Sequence, residues 1–143
     1  MIAFTVFGVP IPQGSMKAFM RPGMRFPVVT ADNKRTKSWR QAVVDAAREQ
    51  LADASPLEGP VGLGVEFFLP RPRSAKKDVV LPAKKPDLDK LVRAIGDALT
   101  AAGVWRDDSQ VVSVGAWKVF AASSRDPMGA AGIPRCTVRV EAA

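Results

Sequence analysis

Leu88, Leu91, Val92, Ile95, Leu99 and Ala102 recur at the i, i+3, i+4, i+7 spacing that lines one side of a helix. The spacing predicts a helix over Leu88–Ala102. Its ends are marked as clearly as its face. Pro86 biases Lys85 away from helical backbone and leaves Asp87 near the N-cap, and Gly103 is a natural residue to close the last turn. About 15 residues make a rod roughly 22 Å long. Whatever the chain does chemically near residues 87 and 108 happens at the two ends of this rod.

The remaining elements are read around it. Residues 2–9 suit a first strand, stopped by Pro10 and Pro12. Residues 17–21 and 25–30 are short extended pieces flanking Pro22-Gly23, which makes a hairpin plausible. A helix is expected from Thr36 or Ser38 to Leu51, with Trp39 and Val43 on its apolar side. Val61–Leu69 and Val111–Phe120 read as strands, and residues 134–141 as a last strand with Cys136, Val138 and Val140 facing one way. The basic, proline-punctuated stretch 71–85 is expected to be a mobile loop, and 123–132 a loop of small residues. The expected architecture is α+β: one domain over residues 1–143, a mixed β-sheet and two main helices packed on one face.

What is missing narrows the chemistry. The chain has no histidine, no tyrosine and one cysteine, Cys136. Structural zinc, Ser-His or Cys-His nucleophiles, strand transfer through a phosphotyrosine and histidine-activated water are therefore excluded. No apolar run is long enough to span a bilayer, and the first residues lack the basic start of a signal peptide, so no membrane partner and a cytoplasmic location are expected.

The charge is +7, with a sequence pI near 10.1. From Arg71 to Arg93 there are eight cations against three acids, and Lys34, Arg35, Lys37 and Arg40 form a second basic stretch. That balance suits a polyanion such as nucleic acid, bound through phosphate neutralisation. Against this background, Asp87/Asp89 and Asp107/Asp108 stand as two tight acidic pairs. Carboxylates gathered in a basic protein fit Mg²⁺ ions meeting a phosphate backbone. Each pair also has an ordinary reading. Asp87 would cap the helix, Asp89 would favour its dipole, and Asp107-Asp108-Ser109 is common turn chemistry. Arg93 lies one turn from both Asp89 and Asp97, which fits either surface ion pairs or a phosphate contact. Asp107 and Asp108 reach the Asp87/Asp89 site only if the following strand returns antiparallel to the helix or a partner subunit supplies them.

The run over residues 84–112 resembles the RusA family of Holliday-junction resolvases. It contains Pro86-Asp87-Leu88-Asp89-Lys90-Leu91-Val92-Arg93, then Asp97-Ala98-Leu99, then Gly103-Val104-Trp105-Arg106-Asp107-Asp108-Ser109-Gln110-Val111. The Pro10-Ile11-Pro12-Gln13-Gly14 loop and the entry into the first helix are also similar, less distinctively. The resemblance implies that Asp87, Asp89 and Asp108 bind one or two Mg²⁺ (or Mn²⁺), with Asp107 a weaker neighbour, and that Arg93 stands where the family has lysine. It implies a homodimer acting on four-way junctions and other branched DNA, and a phage or prophage origin. Lys90 occupies the family's asparagine position and places a cation beside the acids.

The expected function is Mg²⁺-dependent phosphodiester hydrolysis, with Arg93 offsetting charge on the phosphate. Lys84, Lys85, Lys90, Lys76, Lys77 and Lys17 would grip the backbone. Trp105 and Phe19 are candidates to stack on bases, with core packing the stronger reading for Trp105. The rival readings are a non-catalytic basic DNA-binding protein and an Asp-x-Asp transferase, the latter lacking a glycine-rich phosphate loop.

Overall fold

Strand β1 (Ile2–Phe7) is followed by two short strands, β2 (Ala18–Phe19) and β3 (Val28–Val29), and by helix α1 (Asn33–Leu51). Then come β4 (Val61–Leu69), α2 (Leu88–Ala102), β5 (Val111–Phe120) and β6 (Arg135–Ala142). The computed structural model describes residues 1–13, 18–19, 23, 28–29 and 33–143.

Alternation decides the faces. Along β4, Val61, Leu63, Val65, Phe67 and Leu69 are buried, as are Cys136, Val138 and Val140 of β6 and Ile2 and Val6 of β1. They meet the α2 stripe and Trp39, Val43 and Ala47 of α1 in one core. Leu91, Ile95 and Leu99 are fully buried, each stabilising the fold by roughly 1.5–3 kcal/mol. The two helices therefore cover the same side of the sheet. The opposite side carries Thr5, Gly64, Gly115, Trp117, Thr137 and Arg139 around an open trough of about 480 Å³.

The sheet order is β1-β6-β4-β5. β6 is antiparallel to both β1 and β4, and β5 is parallel to β4. β1, β4 and β5 thus share one direction, joined by helices that run back over the face, the usual form of a parallel crossover. This is the expected α+β arrangement of a mixed sheet and two helices.

Several boundaries differ from the sequence reading. α1 opens at Asn33 rather than near Thr36 or Ser38. The periodic signal begins only at Trp39, whereas the polar turn before it contains no helix breaker. β1 ends at Phe7, because Gly8 turns the chain at φ 134. The segment 71–85, expected to be mobile, is tethered along its length. Ala75 N donates to Pro72 O, Val79 N to Lys76 O and Phe120 N to Val80 O. The Arg71 guanidinium donates to Lys76 O and sits 5.0 Å from the centre of the Phe120 ring. Of the expected hairpin, Ala18–Phe19 pairs antiparallel with Val28–Val29; the rest of 17–21 and 25–30, Lys17 included, lies outside the described residues.

The 123–132 loop holds a feature that composition concealed. Asp126 is buried and accepts from Arg135 Nη1 and Nη2 at 3.0 and 2.6 Å, and from Ala122 N and Met128 N, both at 2.8 Å. Arg135 also donates to Ile133 O and stacks 3.9 Å from the centre of the Phe68 ring. The Arg135 guanidinium, followed by the two backbone amides, holds the Asp126 carboxyl at about 2, against an ordinary value of 3.8. Gly132 passes so close that a Cβ there would lie 1.9 Å from Asp126 Oδ2.

Candidate functional site

Since β1, β4 and β5 run in one direction and the helices return, the helix N-termini gather at the carboxyl ends of those strands. Open α/β sheets bind ligands at this end. Hydrogen bonds locate it. Gln13 N donates to Lys90 O at 3.1 Å, bringing the Pro10–Gln13 loop onto the first turn of α2. Lys118 Nζ, near the end of β5, donates to Lys84 O at 2.7 Å and Pro86 O at 2.9 Å. At the other end, Arg48 of the last α1 turn donates to Ala101 O of the last α2 turn.

Asp87 occupies the N-cap position of α2, after a cis Lys85–Pro86 peptide, with extended backbone (φ −70, ψ 136). Its carboxylate makes no capping hydrogen bond. It faces Lys90 Nζ at 3.4 Å instead. The ordinary reading of Asp87 as a cap is therefore not realised. Asp89 is exposed in the first turn, and neither Arg93–Asp89 nor Arg93–Asp97 forms an ion pair among the described residues. Among the described residues, two carboxylates and an arginine thus stand in the first two turns of α2 with their hydrogen-bonding capacity largely unspent, where the helix dipole favours anions.

Asp107 and Asp108 lie at the opposite end. Asp107 caps a single 3-10 turn, Asp108–Gln110, accepting from Ser109 N at 3.1 Å. Gln110 locks this turn in place. Its Oε1 accepts from Arg106 N and Asp107 N at 2.8 and 3.1 Å, and its Nε2 donates to Leu57 O and Gly59 O, both at 2.9 Å. The Ser109 amide, then the bond with Asp108, pulls the Asp107 carboxyl below its ordinary range. Asp108 is pushed up, first by that shared hydrogen bond with Asp107, with burial and the charges of Asp107 and Asp97 adding to it. Both are exposed; Asp107 is committed to the turn, whereas Asp108 makes no backbone cap.

The fold therefore does not bring the four aspartates together within one protomer. β5 does return antiparallel to α2, but its first residues lie beside the helix C-terminus, about one helix length from Asp87. Among the described residues no three His, Cys, Asp or Glu side chains gather closely enough to hold a metal ion.

The cations are distributed with the same polarity. Lys76, Lys77, Lys84, Lys85 and Arg93 are exposed and Lys90 half-buried, all at or near the N-terminal end of α2, with Lys34, Arg35 and Lys37 exposed in the first turns of α1. The far end holds Asp53, Glu58, Asp107, Asp108 and Glu141, with Arg106 paired to Glu58 at 2.9 Å. Among the described residues, exposed cations predominate at one end of the molecule and exposed acids at the other.

Core packing, the stronger reading for Trp105, holds. Trp105 is buried, its Nε1 donating at 2.7 Å to Thr100 Oγ1, which donates to Gly96 O; it is core. The side chain of Phe19 lies outside the described residues. Sequence reasoning passed over three residues. Lys118 props the approach to Asp87; its signal was a lone lysine within an apolar strand. Gln110 fixes the Asp107-Asp108 turn, and the capping box it forms is visible as Asp-x-x-Gln. Trp117, exposed on the sheet face, left no signal beyond its own apolarity.

A family model described as Endodeoxyribonuclease RusA matches residues 8–127. A Bacillus subtilis (strain 168) protein, YqaN, described as uncharacterized, is 31% identical over 134 residues, spanning 87% of this chain and 91% of its own length. No helix among the described residues is long and apolar enough to cross a membrane.

Proposed function

Because the chain belongs to the RusA endodeoxyribonuclease family, we propose that it is a Mg²⁺-dependent enzyme nicking four-way junctions and related branched DNA, with an acidic site completed across a homodimer. The carrying observation is the placement of two under-used acidic groups at opposite ends of α2, in a chain lacking histidine and tyrosine. A two-fold axis that sets two protomers antiparallel brings Asp87 and Asp89 of one protomer to Asp108 of the partner subunit, twice. The basic end of each copy then meets the acidic end of the other.

The donor set fits the metal. Carboxylate oxygens are hard ligands of the kind Mg²⁺ takes, and Asp87, Asp89 and Asp108 are each exposed and free of helix-capping bonds. When bound, Mg²⁺ supplies charge neutralisation at the scissile phosphate and acidifies water. The remaining roles fall to the chain itself. Arg93, one turn from Asp89 and unpaired among the described residues, offsets charge developing on the non-bridging phosphate oxygens. Lys84, Lys85, Lys76 and Lys77 track the backbone, each neutralised phosphate adding about 0.9 to the salt-dependence slope. Lys90 steadies Asp87 at 3.4 Å. The enzyme would act in the bacterial cytoplasm, from a phage or prophage gene.

The test is labelled four-way junction, fork and duplex DNA incubated with and without Mg²⁺, using wild type, Asp87→Asn, Asp108→Asn and an equimolar mixture of the two variants. Nicking by wild type only with Mg²⁺, and by neither variant alone, is expected. The mixture should regain up to about a quarter of wild-type nicking, because half its dimers are mixed and each of these holds one intact composite site. Binding without cleavage under every condition would favour the non-catalytic DNA-binding reading. Wild-type cleavage with no recovery on mixing would remove the composite site.

A further inference from the structure

We propose that the cavity between the end of β1 and the start of α1 holds one nucleotide of the bound DNA strand, its base against Trp39 and Phe7 and its phosphate on Lys34 and Arg35. The inference takes its ligand class from the nuclease reading above and rests on residues that reading leaves unused. The cavity encloses about 390 Å³, with Phe7, Val9 and Ile11 on one side and Lys34, Arg35 and Trp39 of α1 on the other. Sites for small ligands run from roughly 300 to 1,000 Å³. Arg35, Trp39 and Ala42 follow at i, i+4 and i+7, so α1 turns a single face to it. Phe7 and Val9 are 60 and 40% exposed, giving the cavity an apolar wall. Its rim is cationic: the first turn of α1 contains no acid, and the first acid along the helix is Asp45. A ligand that is flat and apolar at one end and anionic at the other suits this division. Trp39 is 5% exposed, and its Nε1 has no hydrogen-bond partner. Buried polar atoms are nearly always paired, so this wall is left unsatisfied by the protein itself. A base seated against the ring carries acceptors on its edge.

Position agrees with chemistry. The cavity lies at the carboxyl end of β1, the end of the sheet where α2 begins with Asp87 and Asp89. The chain that walls it is pinned on both sides: Gly8 N donates to Pro134 O at 3.0 Å, and Gln13 N to Lys90 O at 3.1 Å. From Ile11 to Gln13 is at most about 7 Å of chain, and Lys90 directly follows Asp89. A strand whose phosphate approaches the acidic end therefore passes close to the cavity. A base is cheapest to extrude where pairing is already interrupted, as at a branch point. Aromatic faces accept any base by stacking. The cavity thus grips the strand by one base while the acids meet its backbone. Residues 30–32, which lead into α1, lie outside the described residues, and the measurement therefore uses the whole chain.

The experiment follows the Trp39 indole N–H signal by NMR while the protein, free of Mg²⁺, is titrated with deoxyadenosine monophosphate, deoxyadenosine or inorganic phosphate. The monophosphate is expected to move that signal saturably and the nucleoside to do so more weakly. Inorganic phosphate should move only the backbone signals of Lys34 and Arg35. Phe7→Ala and Lys34→Ala/Arg35→Ala change exposed side chains and should keep the wild-type circular dichroism spectrum. Each should weaken monophosphate binding about tenfold, the scale of one base–aromatic stack, and Phe7→Ala should leave phosphate binding unchanged. A Trp39 signal that the monophosphate does not move, or Phe7→Ala binding it as tightly as wild type, would overturn the base site. Equal responses to monophosphate and inorganic phosphate would reduce it to an anion site and also overturn it. The two readings fail separately. Nucleotide binding at Trp39 in a protein that nicks no junction keeps the cavity site and removes the nuclease. Mg²⁺-dependent nicking with no response at Trp39 keeps the nuclease and removes the cavity site.

Discussion

Asp126 and Asp89 are the same residue type used in opposite ways. The Asp126 carboxylate is sealed behind the 123–132 loop with four donors, two from Arg135 and two from the backbone. Asp89 stands in water at the start of α2 with no partner among the described residues. Burying a charge is tolerable only when its hydrogen-bonding capacity is filled, so Asp126 stabilises structure and has nothing left for a ligand. An exposed carboxylate contributes little to folding and keeps its oxygens free. Asp87 lies close to Asp89 in this respect, held among the described residues by one partly exposed lysine. Asp107 resembles Asp126 in miniature, committed to a turn. Asp108, beside it, shares a hydrogen bond with Asp107 but caps no backbone. Occupancy of lone pairs, rather than residue type or local sequence, separates the acids that hold the fold from those available to a cation.

The sharpest test of that contrast is Asp89→Asn. It should lower junction nicking by about a thousandfold, the scale of losing a group that acts only on the transition state. Junction binding should be equal or tighter, and unfolding free energy should stay within about 0.5 kcal/mol of wild type, as expected for a surface site. Cleavage at the wild-type rate would break the comparison. Asp126→Ala is the mirror image. Leaving Arg135 buried and unpaired should cost about 3–5 kcal/mol in denaturant unfolding, while nicking per folded molecule is retained.

A smaller effect follows from pH. The folded Asp126 carboxyl titrates near 2, below its ordinary 3.8. Its contribution, on the order of 2 kcal/mol, is fully present above the unfolded value and is lost as pH falls through the folded one. Unfolding curves at pH 5 and pH 2.5 should therefore converge for wild type and Asp126→Ala as the medium is acidified. A gap that stays constant would detach the ion pair from stability. The smallest change is expected for Lys118→Met, which removes two hydrogen bonds to Lys84 and Pro86. It should reduce stability by about 1 kcal/mol and slow nicking several-fold by loosening the approach to Asp87, leaving Asp126 and its loop untouched.

Much of the fold was legible because its signals are local. The α2 stripe with Pro86 and Gly103 located that helix to the residue, and Gly103 does close it at φ 81, donating to Leu99 O and Thr100 O. β4 and β5 were equally plain from apolar runs ended by Pro70 and by the small residues after Phe120. The start of α1 was missed since its first turns are polar and carry no period. The contacts of the 71–85 segment could not be read from the sequence, because Arg71 on Phe120 and Val80 on the β5 edge join residues about forty to fifty apart. The Asp126–Arg135 pair looked like loop composition for a similar reason: a buried ion pair is recognisable only once burial is known.

The sequence by itself determined the vocabulary of this protein. It set which stretches are helix and strand, that phosphate chemistry here has no histidine or tyrosine to draw on, and which aspartates flank one rigid rod. Spacing along a chain is a one-dimensional quantity, and it could not say whether the two ends of that rod meet. The tertiary structure decided this through the parallel crossover from β4 to β5. A strand parallel to its predecessor must begin where the connecting helix ends, so Asp108 is carried to the end of α2 opposite Asp87.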